Sequence, residues 1–306
     1  MNNKKILTTL FLTAGLLTAC SSDDEQKQEP PVRHISVEVS ERPMAEEGTA
    51  EGRSLTTRAA ITTTESLGNF TMQGVYDGSL YDYSVEKSEG TGKWTVDPNT
   101  WPLDDPSDKN KKVQFYAYTN GTFYPNSGKP FIDFTVIEDA FNQFDLLVAT
   151  NSVAFNDHNG TVPLTFDHAC AALAFNIFMS NTLSTNLGGN TLTVNSIVLK
   201  NVFKKGKYNF GTTFDESTWS NVSGSANYTL TSGDMVITTT PKALSSNYLF
   251  MIPQERAANG TDGTYLEISY TFSGQERTIA TIPLTVNWEK STQYTINIKL
   301  GTTLIK

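Results

Sequence analysis

The residues of this chain best suited to chemistry are its histidines and a cysteine. None of the three histidines, His34, His158 and His168, is spaced like the metal-binding pair of an H-E-x-x-H motif. Asp167 and His168 lie next to Cys170, as a base and a nucleophile could. However, neighbouring strand residues face opposite sides, and a cysteine among small residues is typical of core packing. The sequence has no G-x-S-x-G, P-loop or dinucleotide-binding motif. We therefore predict that the protein is not an enzyme and uses no metal and no cofactor.

Two further groups of side chains could bind a ligand. The acidic stretch 104–110 resembles part of a calcium loop but lacks the central glycine and distal glutamate of an EF-hand, so we expect a solvated turn. Trp94, Trp101, Tyr116 and Tyr118 could form a platform on which a sugar stacks. Aromatic residues at strand spacing are more often buried, and we expect these four to belong to the core.

Composition limits the function classes that fit this chain. Of its 306 residues, 38% are hydrophobic, 18% are charged and 11% are aromatic, a balance typical of extracellular β proteins. The formal net charge of −9 argues against nucleic acid as a partner and against direct adhesion to anionic lipid. The length is enough for two domains of ordinary size after removal of an export signal.

The element expected to organise the first domain is the apolar run at residues 164–178. Leu173, Phe175 and Ile177 alternate as a strand requires, while Cys170 and its alanine neighbours place small side chains on the other face. A short buried helix is the alternative, because alanine and leucine favour helix and a brief apolar run has no decisive period. The strands and turns on either side favour the strand.

The rest of the chain predicts an all-β fold. Short alternating segments are separated by turn residues such as Asn-Gly and Asp-Pro, a pattern typical of a β-sandwich or barrel. We see no amphipathic helix of any length, and we place the domain boundary in the polar stretch 181–190. Two β-sandwich domains are therefore predicted, at 59–183 and 184–306. The expected strands are 70–76, 80–85, 93–96, 113–118, 131–137, 145–149, 191–203, 207–210, 228–230, 235–240, 248–252, 265–272, 278–288 and 294–300.

The N-terminus carries export signals. Two lysines precede an apolar stretch at 6–17 that is too short to span a bilayer and is typical of a signal peptide, predicted at residues 1–19. It ends in Leu-Thr-Ala-Cys20, which resembles the lipobox of bacterial lipoproteins, in which the cysteine is acylated and anchors the chain in outer-membrane lipid. The acidic cluster at 21–25 resembles the surface-export signal of Bacteroidetes lipoproteins. An ordinary signal peptide and a merely solvated tether remain the alternatives.

A single strand is then separated from its domain by a weak linker. Ile35, Val37 and Val39 alternate with polar residues, as in a half-buried strand. The following stretch 41–58 is rich in Glu, Gly, Thr and Ala and is predicted to be exposed. We group residues 20–58 as lipidated tether, N-terminal strand and linker.

Several of these stretches together resemble the fimbrillin family of Bacteroidetes, the subunits and relatives of type V pili. The resemblance covers residues 55–306 and the lipoprotein start, and it lies in the order and spacing of its pieces. It implies two transthyretin-like β-sandwich domains in tandem, export as a surface lipoprotein, and assembly with other fimbrial subunits into adhesive filaments. The pieces are Trp94, Trp101-Pro102, V-Q-F-Y-A-Y at 113–118, D-L-L-V-A at 145–149, the run at 166–175, I-V-L-K-N at 197–201, F-M-I-P-Q at 250–254 and Y-T-I-N-I at 294–298.

The resemblance also implies a route of assembly. In fimbrillins that polymerise, an Arg-specific protease cuts after the N-terminal strand, and an extended strand of another subunit replaces it. Here the displaceable strand would be the one holding Ile35, Val37 and Val39. The scissile residue would be Arg58 or Arg53, unless the linker contains these arginines only by chance.

The best candidate for a donor strand is the last alternating segment of the chain. Tyr294, Ile296, Ile298 and Leu300 all point one way, although an ordinary last strand of the second domain explains the same pattern. The predicted protein is thus a fimbrial subunit on the outer membrane, with host or bacterial surface ligands as possible partners. The alternatives are a monomeric glycan-binding lipoprotein and a glycan hydrolase, which would need paired carboxylates in one cleft.

Overall fold

The computed structural model describes residues 32–46, 67–103, 105–126, 129–140, 142–258, 263–273, 275 and 278–304. The predicted signal peptide, the lipidation residue Cys20, and the predicted cleavage residues Arg53 and Arg58 lie outside these ranges. Of the helices within them, none has the length and apolar character that crossing a membrane would require.

Strands dominate the described residues, as the composition indicated, and the prediction of an all-β sandwich fold is confirmed. Within the residues that the structure describes, helical elements are α1 (Phe155–His158), α2 (Asn181–Leu187), and 3₁₀ turns that include Pro106–Asn110 and Thr302–Leu304. The strands in chain order are β1 (Ser36–Glu41), β2 (Ala45–Glu46), β3 (Phe70–Tyr76), β4 (Ser79–Lys87), β5 (Trp94–Asp97), β6 (Lys112–Tyr118), β7 (Thr122–Tyr124), β8 (Phe131–Thr135), β9 (Leu147–Ala154), β10 (Thr161–His168), β11 (Ala171–Met179), β12 (Leu192–Asn209), β13 (Thr218–Val236), β14 (Lys242–Ala243), β15 (Leu249–Met251), β16 (Gln254–Arg256), β17 (Tyr265–Phe272), β18 (Thr278–Pro283), β19 (Val286–Trp288) and β20 (Thr292–Leu300).

A first sheet of seven strands covers the smaller of two hydrophobic cores. Its order is β1-β10-β9-β6-β3-β4-β5, and β1 runs parallel to β10 while the other neighbours are antiparallel. Alternate residues of these strands face the core, as the period of two requires. Phe115, Leu164 and Phe166 are among its fully buried members. We call this the first core.

A larger second core lies between the remaining sheets. One contains the path β14-β11-β20-β2, with β15 also paired to β11. A second contains β18-β17-β12-β8-β7, with β13 paired along β12, and the third is the pair β16 and β19. Strand β12 is 18 residues long and is shared, because its first half pairs with β17 and its last residues with β8.

The run predicted as one strand of the first domain is in fact two strands of different sheets. β10 ends at His168 in the first sheet, and β11 begins at Ala171 in the second core. The chain turns at Ala169, whose N–H donates to Leu146 O at 2.9 Å and whose carbonyl accepts from Trp219 Nε1 at 2.8 Å. A run buried on both sides has no change of period to mark such a break, which explains the error. The helical alternative is not found.

The polar stretch chosen as the domain boundary contains a short helix that the pattern did not predict. In α2, Leu183 and Leu187 lie one turn apart and are both buried, while Ser180 Oγ accepts from Leu183 N at 3.1 Å as the N-cap. The division at 183/184 stays a prediction about folding units. In the structure, Leu173 before it shares the second core with Ile197 after it.

Candidate functional site

The predicted displaceable strand forms one edge of the first sheet. β1 pairs in parallel with β10 from Ser36↔Thr161 to Glu41↔Phe166, and β1 is the terminal strand of the sheet order. Ile35, only 3% exposed, is a buried member of the first core, and Val37 and Val39 pack against it. The predicted alternation of the strand therefore matches the face that it buries.

The residues at the start of this strand also form hydrogen bonds on the side away from β10. Trp101 N donates to Arg33 O at 2.7 Å, and Ile35 N donates to Asn99 Oδ1 at 3.1 Å. The buried Arg33 guanidinium donates to Leu103 O at 2.7 Å. The segment therefore has neighbours on both sides at its beginning, whereas the ladder of β1 itself runs along β10.

Beyond β1, the chain passes from the first core to the second. Arg42 N donates to Phe166 O at 2.8 Å, and Ala45 N donates to Ser291 O at 2.8 Å. Strand β2 then runs parallel to β20 through Ala45↔Thr292 and Glu46↔Gln293. Residues 32–46, which we call the N-terminal segment, thus contact both cores.

A buried charged cluster lies under the end of β1. His168 Nδ1 lies 2.5 Å from Asp145 Oδ2, and His168 Nε2 lies 3.1 Å from Glu41 Oε1. The side chains of His168 and Glu41 are 0% and 1% exposed, and neither oxygen of Glu41 makes a hydrogen bond among the described residues. Because a buried carboxylate is costly without compensation, the ion pair with His168 is what makes the position of Glu41 tenable.

The imidazole of this cluster is protonated at neutral pH. Burial by itself would lower the pKa of His168, but the bond to Asp145 and the contact with Glu41 outweigh it and raise the pKa from 6.5 to about 9. His168 is therefore an imidazolium with both ring nitrogens directed at carboxylates. This arrangement leaves it no free nitrogen with which to act as a base toward Cys170.

A second ion pair lies at the rim of the same site. Arg42 Nη1 lies 2.9 Å from Asp167 Oδ1, and the arginine side chain is 57% exposed while that of Asp167 is buried. Burial raises the pKa of the Asp167 carboxyl, and the charge of Arg42 opposes that shift. Glu41 and Arg42 thus connect the N-terminal segment to two consecutive residues of β10.

The comparisons with known proteins agree with the resemblance drawn from the sequence. Residues 50–306 match the family model described as fimbrillin-like. The chain belongs to the fimbrillin-like family. The match begins after the N-terminal segment, so the fimbrillin-like region contains β3 to β20. No curated protein matches.

The solved structures similar to this fimbrillin-like chain support its fold. A fimbrial protein from Bacteroides vulgatus is 17% identical, with a TM-score of 0.59, and the match covers 90% of this chain and 96% of that one. A putative cell adhesion protein from Parabacteroides distasonis is 12% identical, with a TM-score of 0.53 and 88% of each chain covered. Another from Bacteroides ovatus is 14% identical, with a TM-score of 0.50 and coverage of 87% and 92%.

The predicted donor strand is built into the second core. β20 runs parallel to β11 from Ala172↔Gln293 to Met179↔Leu300. Tyr294, Ile298 and Leu300 are buried, and Ile296 is half-buried against the same core. This is the arrangement of an ordinary last strand, and a donor role for these residues stays a prediction.

The other residues considered for chemistry are dispersed. His34 and His158 are exposed, and Cys170 is fully buried, with the pKa of its thiol raised by burial. In the stretches of chain that the structure describes, no group of three His, Cys, Asp or Glu side chains could hold a metal ion. Within the acidic stretch, Pro106–Asn110 forms a 3₁₀ turn, and Asp105 before it accepts from Ser107 N at 2.7 Å.

The aromatic residues considered for sugar stacking do not form a shared platform. Trp101 is 1% exposed and packs edge-on against Phe115, with ring centroids 5.4 Å apart. Tyr118 is buried in the second core, and Tyr116 packs against that core from its edge. Trp94 packs against the first core. Their packing in two separate cores agrees with the expectation that they are core residues.

Sequence reasoning missed the charged cluster because it assigned Glu41 to the linker and His168 to an apolar run. A signal was nevertheless present. Glu41 continues the alternation of Ile35, Val37 and Val39, so it is the next residue on the inward face of the strand. A charge at an inward position indicates a buried partner, which the sequence alone could not identify.

Proposed function

We propose that this chain is a structural and adhesive subunit of a surface fimbria of the type V pilus class, and that the N-terminal segment keeps it unassembled. The observation that carries the proposal is the position of β1, a separate strand at the sheet edge that covers the first core. Membership of the fimbrillin-like family supports the proposal. So do the similar structures, which are described as a fimbrial protein and as putative cell adhesion proteins.

The proposed route has three steps. Acylation at Cys20 anchors the exported chain in outer-membrane lipid at the cell surface. An Arg-specific protease then cuts at Arg53 or Arg58, after the N-terminal segment. A strand from another fimbrial subunit takes the place of β1, and repetition of this exchange builds the filament.

The native strand and a competing strand gain similar burial energies, and the linker is what favours the native strand. Full burial of three apolar anchors would contribute roughly 5 to 9 kcal/mol gross, at about 1.5 to 3 kcal/mol for each side chain. Val37 and Val39 are half-buried, so β1 gains less than this, and a competing strand with similar anchors gains about the same. While the segment is tethered, its effective concentration is on the order of millimolar, so a dilute competitor loses. Cutting removes that advantage, and the main-chain ladder along β10 can be formed with another subunit.

The test is limited proteolysis of the soluble mature chain with an Arg-specific protease. We expect release of everything before Ala59, followed by SDS-resistant oligomers once a strand donor is present. Arg53→Lys and Arg58→Lys variants are matched controls, because they retain charge and remove one site each. Arg42 is a poorer site because Pro43 follows it and lacks the backbone freedom of other residues.

Two results would contradict the proposal. One is a linker that resists the protease in the native chain. The other is a cut protein that stays monomeric when it is mixed with each of the other fimbrial subunits from the same cell surface. A monomer that is retarded in a polysaccharide gel would favour the glycan-binding alternative.

A further inference from the structure

The surface beneath β1 is apolar except at one position. Ile35, Val37 and Val39 meet the first core, while Glu41, two residues further on the same face, meets the buried imidazole of His168. Asp145 holds the imidazole from its other side at 2.5 Å. Removal of the N-terminal segment would take away one of the two carboxylates that flank this cation.

We propose that the site under β1 selects a partner strand that places a carboxylate beside His168. Resting on the proposed function, this inference specifies the occupant of the vacated site. The occupant is a strand of another subunit that runs parallel to β10 and carries apolar residues at three alternate positions, followed at the next alternate position by Asp or Glu.

The physical reason is the cost of leaving one side of a buried imidazolium without a partner. With an apolar side chain at the position of Glu41, Asp145 would still pair with His168 Nδ1, but the buried Nε2–H would face no acceptor. The carboxylate also fixes the register, since a slip of one residue turns every side chain of a strand to the opposite face. The ion pair of Arg42 with Asp167 has its arginine side chain 57% exposed, so solvent screens it and it contributes less.

The predicted donor segment of this chain does not satisfy this requirement. Residues 292–306 contain no Asp and no Glu. If Tyr294, Ile296 and Ile298 took the three apolar positions, Leu300 would fall where Glu41 lies. A second copy of this segment is therefore a poor occupant, and the site favours a strand from a different subunit.

The experiment uses the full mature chain, cut by an Arg-specific protease, and labelled synthetic peptides that compete for the site. The native peptide has the sequence of residues 32–46. One variant peptide carries Glu41→Gln, and a matched control carries Glu38→Gln, because Glu38 lies on the same strand with its side chain exposed. Binding is measured by fluorescence anisotropy.

We expect the Glu41→Gln peptide to bind at least about 30-fold more weakly than the native peptide, the lower end of the effect of neutralising one member of a buried charge pair. The Glu38→Gln peptide should stay within about twofold of the native one, as for a surface change. A peptide of residues 292–306 should bind weakly, and its Leu300→Glu form should bind better.

The outcomes separate the inference from the proposed function. Equal binding of the native and Glu41→Gln peptides would overturn the carboxylate requirement and leave strand exchange intact. Tight binding of the unmodified 292–306 peptide would overturn the preference for a different subunit. If the native peptide does not bind the cut protein, strand exchange and the inference both fail.

Discussion

Replacing Glu41 by glutamine in the intact chain tests whether the buried ion pair holds β1 in place. The substitution keeps the size of the side chain and removes the charge that lies 3.1 Å from His168 Nε2. The backbone ladder from Ser36 to Glu41 and the apolar contacts of the strand remain. A change in the opening of β1 would therefore report the electrostatic contribution.

The expected loss is about 2 kcal/mol in the free energy of opening β1. Neutralising one member of a buried charge pair costs about 2 to 5 kcal/mol, and Asp145 still pairs with the imidazolium after the change, which keeps the loss at the lower end of that range. At about 1.4 kcal/mol for each factor of ten, the backbone amides of β1 should exchange roughly 30-fold faster.

The wild-type chain should show a matching dependence on pH. The pKa of His168 is about 9 in the folded protein, whereas that of an unperturbed histidine is 6.5. The folded state therefore binds the proton more tightly than the unfolded state. The stabilisation is therefore complete below pH 6.5 and is lost as pH rises through about 9. Only the part of this stabilisation that Glu41 supplies is lost when β1 opens, because Asp145 is the larger of the two causes and stays beside the imidazole. The charged groups around this site are Asp145 before β9, Glu41 on β1, and Asp167 with its partner Arg42.

The assay is hydrogen exchange followed by mass spectrometry of the peptide spanning residues 32–46, corrected for the intrinsic exchange rate at each pH. Wild type, Glu41→Gln and Glu38→Gln are compared at pH 6 and pH 9.5. The reasoning is refuted if Glu41→Gln exchanges at the same rate as Glu38→Gln, or if exchange of β1 in the wild type does not accelerate at the higher pH.

Three further predictions concern the two cores and the contact between Gly160 and the residues just before β1. Cys170 should resist iodoacetamide in the native protein and react in urea, as mass spectrometry of the alkylated peptide would show, because it is buried and the pKa of its thiol is raised. Leu173→Ala should lower the free energy of unfolding in urea by about 2 to 5 kcal/mol, whereas Val236→Ala at an exposed site should change it by less than about 0.5 kcal/mol. Gly160→Ala should destabilise more than Gly78→Ala in thermal denaturation: both glycines have positive φ, but a Cβ at Gly160 would meet His34 O at 2.4 Å and one at Gly78 would meet nothing. Equal shifts in melting temperature for the two glycine variants would contradict this account.

The strands that sequence reasoning predicted best are those whose sequences alternate between apolar and polar residues. β3 and β17 were predicted with the bounds that they have, and β6 was predicted to within a residue, because alternation marks both their faces and their ends. The run containing β10 and β11 was misread because burial on both sides removes alternation. The length of the β12 and β13 hairpin was also missed, since its register shifts interrupt the period.

The site was predictable only in part for a different reason. The apolar alternation of the N-terminal strand is local information, and it gave the buried face of Ile35, Val37 and Val39. The partners of Glu41 are distant in sequence: Asp145 lies in the chain before β9, and His168 ends β10. Which carboxylates meet an imidazole depends on how β1 registers against β10, and the sequence of one chain does not encode that pairing in any local pattern.

A buried charge pair suits a strand that must be held firmly and yet be replaceable. Apolar residues in place of Glu41, His168 and Asp145 together would stabilise the strand at least as well, since burying charges costs about as much as their attraction returns. It would also admit any apolar strand of similar shape, because hydrophobic contact has no direction. An ion pair adds little net stability but penalises every strand that is shifted by one residue or that lacks the carboxylate. Glu41 and His168 thereby make a general apolar groove selective, without making it too stable for exchange once the linker is cut.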